Sequence, residues 1–286
     1  MTRLAALHRA LAPSRPVRIV DVGANPLGPS PYARMLADGC AEVVGFEPQP
    51  EAYRAAVEEA PINARFVNAA IGDGTERQLH VYRRSGMTSL FPLRDAATRY
   101  LGRFEGLAET GQAGWVETER LDDVDGLRAV DFLKVDAQGA EVIVIEGGRR
   151  ALGDAVAVMA EMRFYPLYEG EPTMGDLDAA LRAQGFVMHR MIPPSRSLLP
   201  SRHAARLSKD ARSQVIDGDV IYIRPLEDLA AWETEALKRL ALLAEGAFRS
   251  HDLCLMLIDE LEDRGACANG TAEAYVNALP AVAKAA

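Results

Sequence analysis

Residues 17–29, VRIVDVGANPLGP, run from a β-branched apolar stretch into a loop where Gly23 and Gly28 stand five positions apart. Three prolines (Pro26, Pro29 and Pro31) crowd that loop. A strand running into a glycine-containing turn is the entry to a nucleotide site in an open α/β fold, but the G-x-G-x-x-G that seats a pyrophosphate on a helix N-terminus is missing. Asp21 stands just before Gly23, where a carboxylate repels phosphate and attracts an ammonium or a sulfonium. The loop suits a nucleotide without phosphate.

The order of elements outward from this loop places it in such a fold. VRIVDVG, AEVVGFEP, ARFVNAAIG, VDFLKVDA and AVAVMAEM are short runs apolar at nearly every position, the pattern of strands buried on both faces of a parallel sheet. Helices are expected between them at about 31–39, 50–59, 139–151 and 173–184, with Ser30-Pro31 as N-cap and first turn of the first and Gly39, Gly147 and Gly185 at C-caps. GFVMHRMI (185–192) and GDVIYIRP (218–225) follow as an antiparallel edge pair, giving a doubly wound, mostly parallel α/β sheet. Five parallel strands with such a pair is the inventory of Rossmann-like methyltransferases, whereas a dinucleotide dehydrogenase usually has six parallel strands. Three segments are expected: an N-terminal helix over 1–16 carrying Leu4, Leu7 and Leu11, the nucleotide-binding domain over 17–225, and a helical extension over 226–286 built of a hairpin (226–264) and a short alanine-rich tail.

Composition narrows the function. The 286-residue chain carries a formal net charge of −9, so it lacks the basic footprint of a nucleic-acid binder. No apolar run approaches the length needed to span a bilayer. Cys40, Cys254 and Cys267 offer neither a disulfide framework nor metal-ligand spacing, which fits a reducing, cytoplasmic compartment.

Four loops at strand ends carry the candidate chemistry. In the first, Gly23 and Ala24 allow a close backbone approach and Asn25 offers hydrogen bonds, a cradle for the methionine part of S-adenosylmethionine (SAM), which is doubly cationic and has no phosphate. In GFEP (45–48), Glu47 is placed to grip a ribose diol, with Pro48 beside it, and an acid there disfavours a 2′-phosphate. In NAAIGD (68–73), Asn68 faces the adenine edge and Ala69 and Ala70 leave room for the ring. In LKVDAQGAE (133–141), Asp136 ends a strand at the crevice where open α/β sheets bind ligands, although capping of the following helix is an alternative role for it.

Taken in order, VDVGAN, GFEP, NAAIGD, LKVDAQGAE and EMRFYPLY resemble the FkbM-type family of SAM-dependent methyltransferases over about residues 17–192. The resemblance implies a class I methyltransferase fold, SAM as cofactor with S-adenosylhomocysteine as product, and methyl transfer, typically to a hydroxyl of a sugar or natural product. It carries SAM contacts onto Asp21, Gly23, Ala24, Asn25, Glu47 and Asp136. The first loop departs from the family's D-V-G-A-N-x-G, because Pro26-Leu27 precede Gly28.

A hydroxyl acceptor benefits from a general base, and Asp136 and Glu161, at the ends of adjacent strands, are the candidates. No metal is assigned, although the same two acids are the pair that would hold a divalent cation. His189 on an edge strand is read as structural. The small-molecule or carbohydrate acceptor is expected between GMTSLF (86–91), with Ser89, and RFYPLYEG (163–170), where Tyr165 and Tyr168 are placed to stack on a sugar ring. The loop at 193–217, with Arg196, Arg202, His203, Arg206, Lys209 and Arg212, is either a solvated surface or a lid for an anionic acceptor. The hairpin either closes the site or forms a homodimer interface. An NAD-dependent oxidoreductase and a non-catalytic nucleotide-binding protein of the same fold are the competing readings.

Overall fold

The structure, a computed structural model, describes residues 1–102 and 114–283. Twelve strands are described: β1 (Val17–Val22), β2 (Ala41–Phe46), β3 (Ala64–Val67), β4 (Ala70–Ile71), β5 (Glu76–Leu79), β6 (Gly114–Glu119), β7 (Phe132–Val135), β8 (Ala157–Arg163), β9 (Val187–Met191), β10 (Arg196–Ser197), β11 (Gln214–Val215) and β12 (Asp217–Ile223). The helices are α1 (Arg3–Leu11), α2 (Ala33–Ala37), α3 (Pro50–Glu58), α4 (Asp95–Leu101), α5 (Glu141–Gly147), α6 (Met174–Arg182), α7 (Thr234–Leu243), α8 (His251–Asp263) and α9 (Thr271–Ala278).

A seven-stranded sheet in the order β3-β2-β1-β7-β8-β12-β9 forms the centre. All its pairs are parallel except those made by β12, which runs antiparallel between β8 and β9. The order reverses direction between β1 and β7, the switch point outside which open sheets bind ligands. Alternate residues explain the continuous apolar runs. Ile19, Phe132, Met159 and Ile221 face one layer with α1, α2, α7 and α8. Val20, Leu133, Val158 and Val220 face the other with α5 and α6. A small sheet, β4-β6-β5, and a cluster around Tyr82, Leu101, Leu167 and Tyr168 lie beyond the carboxyl ends of the central strands.

The helical segment after Pro225 contributes to the first of these layers. Leu240, Leu243, Leu257 and Ile258 share one core with Leu4, Leu7 and Leu11 of α1 and with the sheet. The hairpin turns through a π-helix, Ala244–Phe248, which places Glu245 in the interior. The Glu245 carboxylate meets Arg3 at 2.8 Å, accepts from the Tyr275 hydroxyl at 2.8 Å and lies 3.3 Å from His251 Nδ1. It therefore ties α1, α8 and α9 together. His189 bonds Ser250 Oγ at 3.0 Å, a tie between β9 and the start of α8.

Three boundaries differ from the sequence-based expectation. α2 starts at Ala33 rather than near 31, because Ser30 and Pro31 form the turn before it and the Ser30 carbonyl accepts from Ala33 N–H. α5 ends at Gly147 rather than 151, with the C-cap at Gly148 rather than Gly147, and Gly147 is packed so that a Cβ would stand 2.8 Å from the Gly72 carbonyl oxygen. The alanine-rich tail contains α9, whose Tyr275 is buried. Because α8 shares a core with the sheet, Leu257→Ala is expected to cost about 2–5 kcal/mol. Urea unfolding followed by tryptophan fluorescence and far-ultraviolet circular dichroism should show one coincident transition; separate transitions would show an independent helical unit.

Candidate active site

One cavity opens at the switch point, lined by the loops after β1, β2, β3 and β7 and by the 85–90 segment above them. Its floor is a close crossing of two loops. Gly23 has φ +80°, and a Cβ there would stand 1.8 Å from the Asp136 carbonyl oxygen, so no other residue fits. Asp136 N–H donates to Val22 O at 2.9 Å and locks the crossing. The proline-rich loop turns over the cavity instead of entering a helix, and Leu27 closes against Gly86.

Of the residues expected to hold the cofactor, Gly23, Asn25, Glu47, Pro48, Ala69, Ala70 and Asp136 line this cavity. Asp21, Ala24 and Asn68 do not. Parallel register sets Asp21 directly beside Lys134, and the two pair at 3.2 Å while Tyr32 donates to the other carboxylate oxygen at 2.5 Å. The Asp21 carboxylate is thus paired within the protein and lies behind the cavity wall. Ala24 packs behind the loop, its Cβ against Gly45. The Asn68 amide donates to Glu47 O at 2.8 Å and Pro48 O at 3.1 Å, so it shapes the acidic loop from behind.

Glu47 is 3% exposed, and its Oε1 accepts Gln49 N–H at 2.9 Å. Burial, reinforced by Asp21 and Asp136, pushes its carboxyl up to about 7. Lys134 is the nearby counter-charge: burial works to lower its proton affinity, and Asp21 and Asp136 more than reverse this, so it stays a cation.

A second cluster adjoins the first. Since Val135 pairs with Ala160, Asp136, just past the end of β7, comes beside Glu161, which lies within β8 two residues before its end rather than at the strand end. Gln138 Nε2 donates to Asp136 Oδ1 at 2.8 Å and to Glu161 Oε2 at 2.9 Å. Buried Arg163 pairs with Glu161 at 2.7 Å, Asp217 at 2.8 Å and Glu171 at 3.2 Å. Burial, then the neighbouring Asp136, raises the Glu161 carboxyl well above the usual range. Glu141 caps the same turn, accepting from Ala137 N–H at 2.8 Å and Gly139 N–H at 3.0 Å. Carboxylate oxygens of Asp136, Glu141 and Glu161 lie within 4.8 Å of one another, with Arg163 and Lys134 supplying positive charge around them.

The expected acceptor residues divide. Ser89 lines the cavity, but its hydroxyl donates to the Gln138 carbonyl at 2.6 Å. Tyr168 has no exposed surface, and its hydroxyl donates to Gln138 Oε1 at 2.9 Å, so the expected sugar platform is a buried strut there. Tyr165 remains half-buried and stacks on Tyr100 at 5.6 Å. Gln138 and Arg163, which organise the acids, carry no sequence signal beyond lying inside LKVDAQGAE and EMRFYPLY.

Comparison with known proteins agrees with this geometry. Residues 21–188 match the methyltransferase FkbM domain model, more than half of the chain. The chain belongs to the FkbM methyltransferase family. A curated relative, the 2-O-methyltransferase NoeI of Sinorhizobium fredii (strain NBRC 101917 / NGR234), is 30% identical over 162 residues. That match covers 54% of this chain and 66% of NoeI, just under two thirds of its length. Solved structures with a loose likeness include a magnesium protoporphyrin IX methyltransferase from Synechocystis PCC 6803 with bound SAM, at 10% identity and a TM-score of 0.38 over 78% of this chain and 76% of that one. Another is the precorrin-6y C5,15-methyltransferase from Geobacter metallireducens GS-15, at 11% identity and a TM-score of 0.35 over 77% and 86%. The class I fold stands on the sheet order and the family match rather than on these two. The family match removes the NAD-dependent reading, and no described helix is long and apolar enough to cross a membrane.

SAM is the cofactor of the FkbM methyltransferase family, and the cavity fits it. Gly23 supplies backbone approach without a side chain. Glu47 presents a buried carboxylate with only Oε1 engaged among the described residues, a site that a ribose diol completes. Two outcomes follow for Glu47→Gln. Loss of charge-assisted hydrogen bonds worth roughly 1.5–3 kcal/mol is expected to weaken SAM by about 10- to 150-fold in calorimetry. Between pH 4.5 and 7 the folded protein keeps a proton on Glu47 that the unfolded chain releases, so stability falls as pH rises through that window. The variant should therefore melt higher than wild type at pH 8, by up to about 3 kcal/mol of stability, and match it at pH 4.5; equal melting at both would refute the raised carboxyl.

Proposed function

We propose that the protein is a SAM-dependent O-methyltransferase acting on a hydroxyl of a small-molecule or carbohydrate acceptor, with anionic acceptors preferred. The observation that carries the reading is the Asp136 carboxylate, which lines the same cavity as Glu47 beside a second acid, Glu161. A neutral amine reaches an electrophile without losing a proton first. A hydroxyl acceptor gains from a base within hydrogen-bond reach, a contribution of about 10²–10⁴ in rate. The printed activity of NoeI, 2-O-methylation, points to the same atom class.

When bound, SAM supplies a methyl group on a positively charged sulfur. Glu47 would hold the nucleoside end, and the Gly23 turn with Asn25, in the same cavity, would hold the amino-acid end. Asp136 would take the proton that the hydroxyl loses as its oxygen gains the methyl group and the carbon–sulfur bond breaks, S-adenosylhomocysteine being the other product. Alignment of the reacting atoms by the cavity walls supplies the larger part of the acceleration, about 7–11 kcal/mol in well-oriented systems.

The preference for anions rests on the 193–217 loop. It leaves the sheet at the carboxyl end of β9 and returns at the start of β12, beside the Arg163–Asp217 pair on the acceptor side. Arg196, Arg202, Arg206, Lys209 and Arg212 are all exposed in it, in a protein whose net charge is −9. Such a rim raises the local concentration of anions and is screened by salt.

The test is methyl transfer from isotopically labelled SAM to matched neutral and acidic sugars. Asp136→Asn is expected to lower kcat by about 10²–10⁴ with SAM affinity kept within a few-fold. For an acidic acceptor, KM should rise several-fold between roughly 50 and 500 mM salt, while a neutral acceptor's KM stays flat. SAM binding without turnover on any acceptor would mark a binding protein instead.

A further inference from the structure

Gln138 is the one described non-glycine residue at the rim of the cavity with a left-handed backbone, at φ +50°. Side chains of L-residues rarely adopt that region, and where they do the surroundings must hold them. Here the holding groups are visible. Ser89 Oγ grips the Gln138 carbonyl at 2.6 Å, the Tyr168 hydroxyl grips its Oε1 at 2.9 Å, and Glu141 clamps the amides on either side, Ala137 and Gly139.

The amide can point only one way. Its nitrogen lies 2.8 Å from Asp136 Oδ1 and 2.9 Å from Glu161 Oε2, and a flipped amide would set an oxygen against two carboxylates. Its two hydrogens serve one acid each. This leaves Asp136 Oδ2 towards Lys134, at 4.0 Å. Without such a donor, two acids side by side on adjacent strands repel each other or share a proton.

We propose that Gln138 is a positioning residue for methyl transfer: its amide fixes the Asp136 carboxylate against Glu161 in one orientation, and Tyr168 and Ser89 fix Gln138. The proposal rests on the O-methyltransferase reading, with Asp136 as the base. It assigns Tyr168 and Ser89 a part in the reaction that is indirect, through the glutamine, rather than through the acceptor.

Two variants of the full chain test it. Gln138→Glu keeps the shape and removes both donors; Gln138→Gly removes the side chain and relieves the backbone. Both are expected to lose about 10²-fold in kcat, with SAM affinity within three-fold of wild type. In Gln138→Glu the acid limb of the kcat profile should move up by about one pH unit, because an added carboxylate makes its neighbours hold protons longer. Carboxyl ¹³C NMR titration reads the same displacement without any acceptor. Gln138→Gly should still unfold in one cooperative transition and bind SAM within three-fold of wild type, which separates positioning from folding. Variants that keep wild-type kcat, or an NMR titration unmoved in Gln138→Glu, overturn the positioning role. If wild type is active and Asp136→Asn is equally active, the base assignment falls instead, and the proposal with it.

Discussion

Acidic side chains crowd the carboxyl rim of one sheet, and everything at the site depends on how their charge is balanced. Asp21, Glu47, Asp136, Glu141 and Glu161 lie near or just past the carboxyl ends of neighbouring strands, where bringing them together in a buried place is costly unless each finds a donor. Two buried cations hold the arrangement. Lys134 lies between Asp21 and Asp136, and Arg163 sits among Glu161, Glu171 and Asp217. Neutral donors complete it: Tyr32 on Asp21, the Gln49 amide on Glu47 and the Gln138 side chain between Asp136 and Glu161. The result is a division of labour. Asp21 and Glu171 are consumed as struts, whereas Glu47 and Asp136 reach the cavity with capacity left for ligands.

The crossing of the first loop over the strand end that carries Asp136 makes this possible. A backbone without a side chain at Gly23 lets the two loops touch, so the cofactor cradle and the candidate base are fixed to each other directly. The prolines answer a different need. They keep the chain out of helix until Ala33, so that Leu27 roofs the cavity against the turn containing Gly86. A phosphate-binding loop would aim a helix end at the ligand; this loop covers its ligand with side chain and backbone.

The inner strands of the central sheet were legible because burial on both faces writes a plain signal, an unbroken apolar run. The β4-β6-β5 sheet, which has none, was not, and ARFVNAAIG divides between β3 of one sheet and β4 of the other. The places of Glu47 and Asp136 were legible for a related reason, since a charge that ends such a run must sit at the sheet edge. What stayed hidden depends on partners distant in sequence. Nothing around Asp21 announces that parallel register sets Lys134 beside it and turns an apparent ligand group inward. Tyr168 reads as a stacking ring until its hydroxyl is seen on Gln138, and the place of Gln138 depends on a backbone conformation and on Ser89 and Tyr168, both distant in sequence. α9 was read as tail because one large side chain, Tyr275, carries its attachment among small residues.

The position of β12 bears on how the chain is made. It leaves the ribosome after β9, yet it belongs between β8 and β9. While residues 192–216 are being synthesised, β8 has an open edge and β9 has no strand neighbour, although both carry the apolar residues of a finished sheet. Their direct parallel pairing is the nearest wrong register, and it must be avoided or undone before β12 can enter. The antiparallel direction of β12 favours the right outcome. Once Asp217 meets Arg163 at the rim, the strand can zip down along β8 from a fixed point, with Val220, Ile221 and Tyr222 following in register. The ion cluster that steadies the acids of the cavity thus also stands where the last strand enters the sheet.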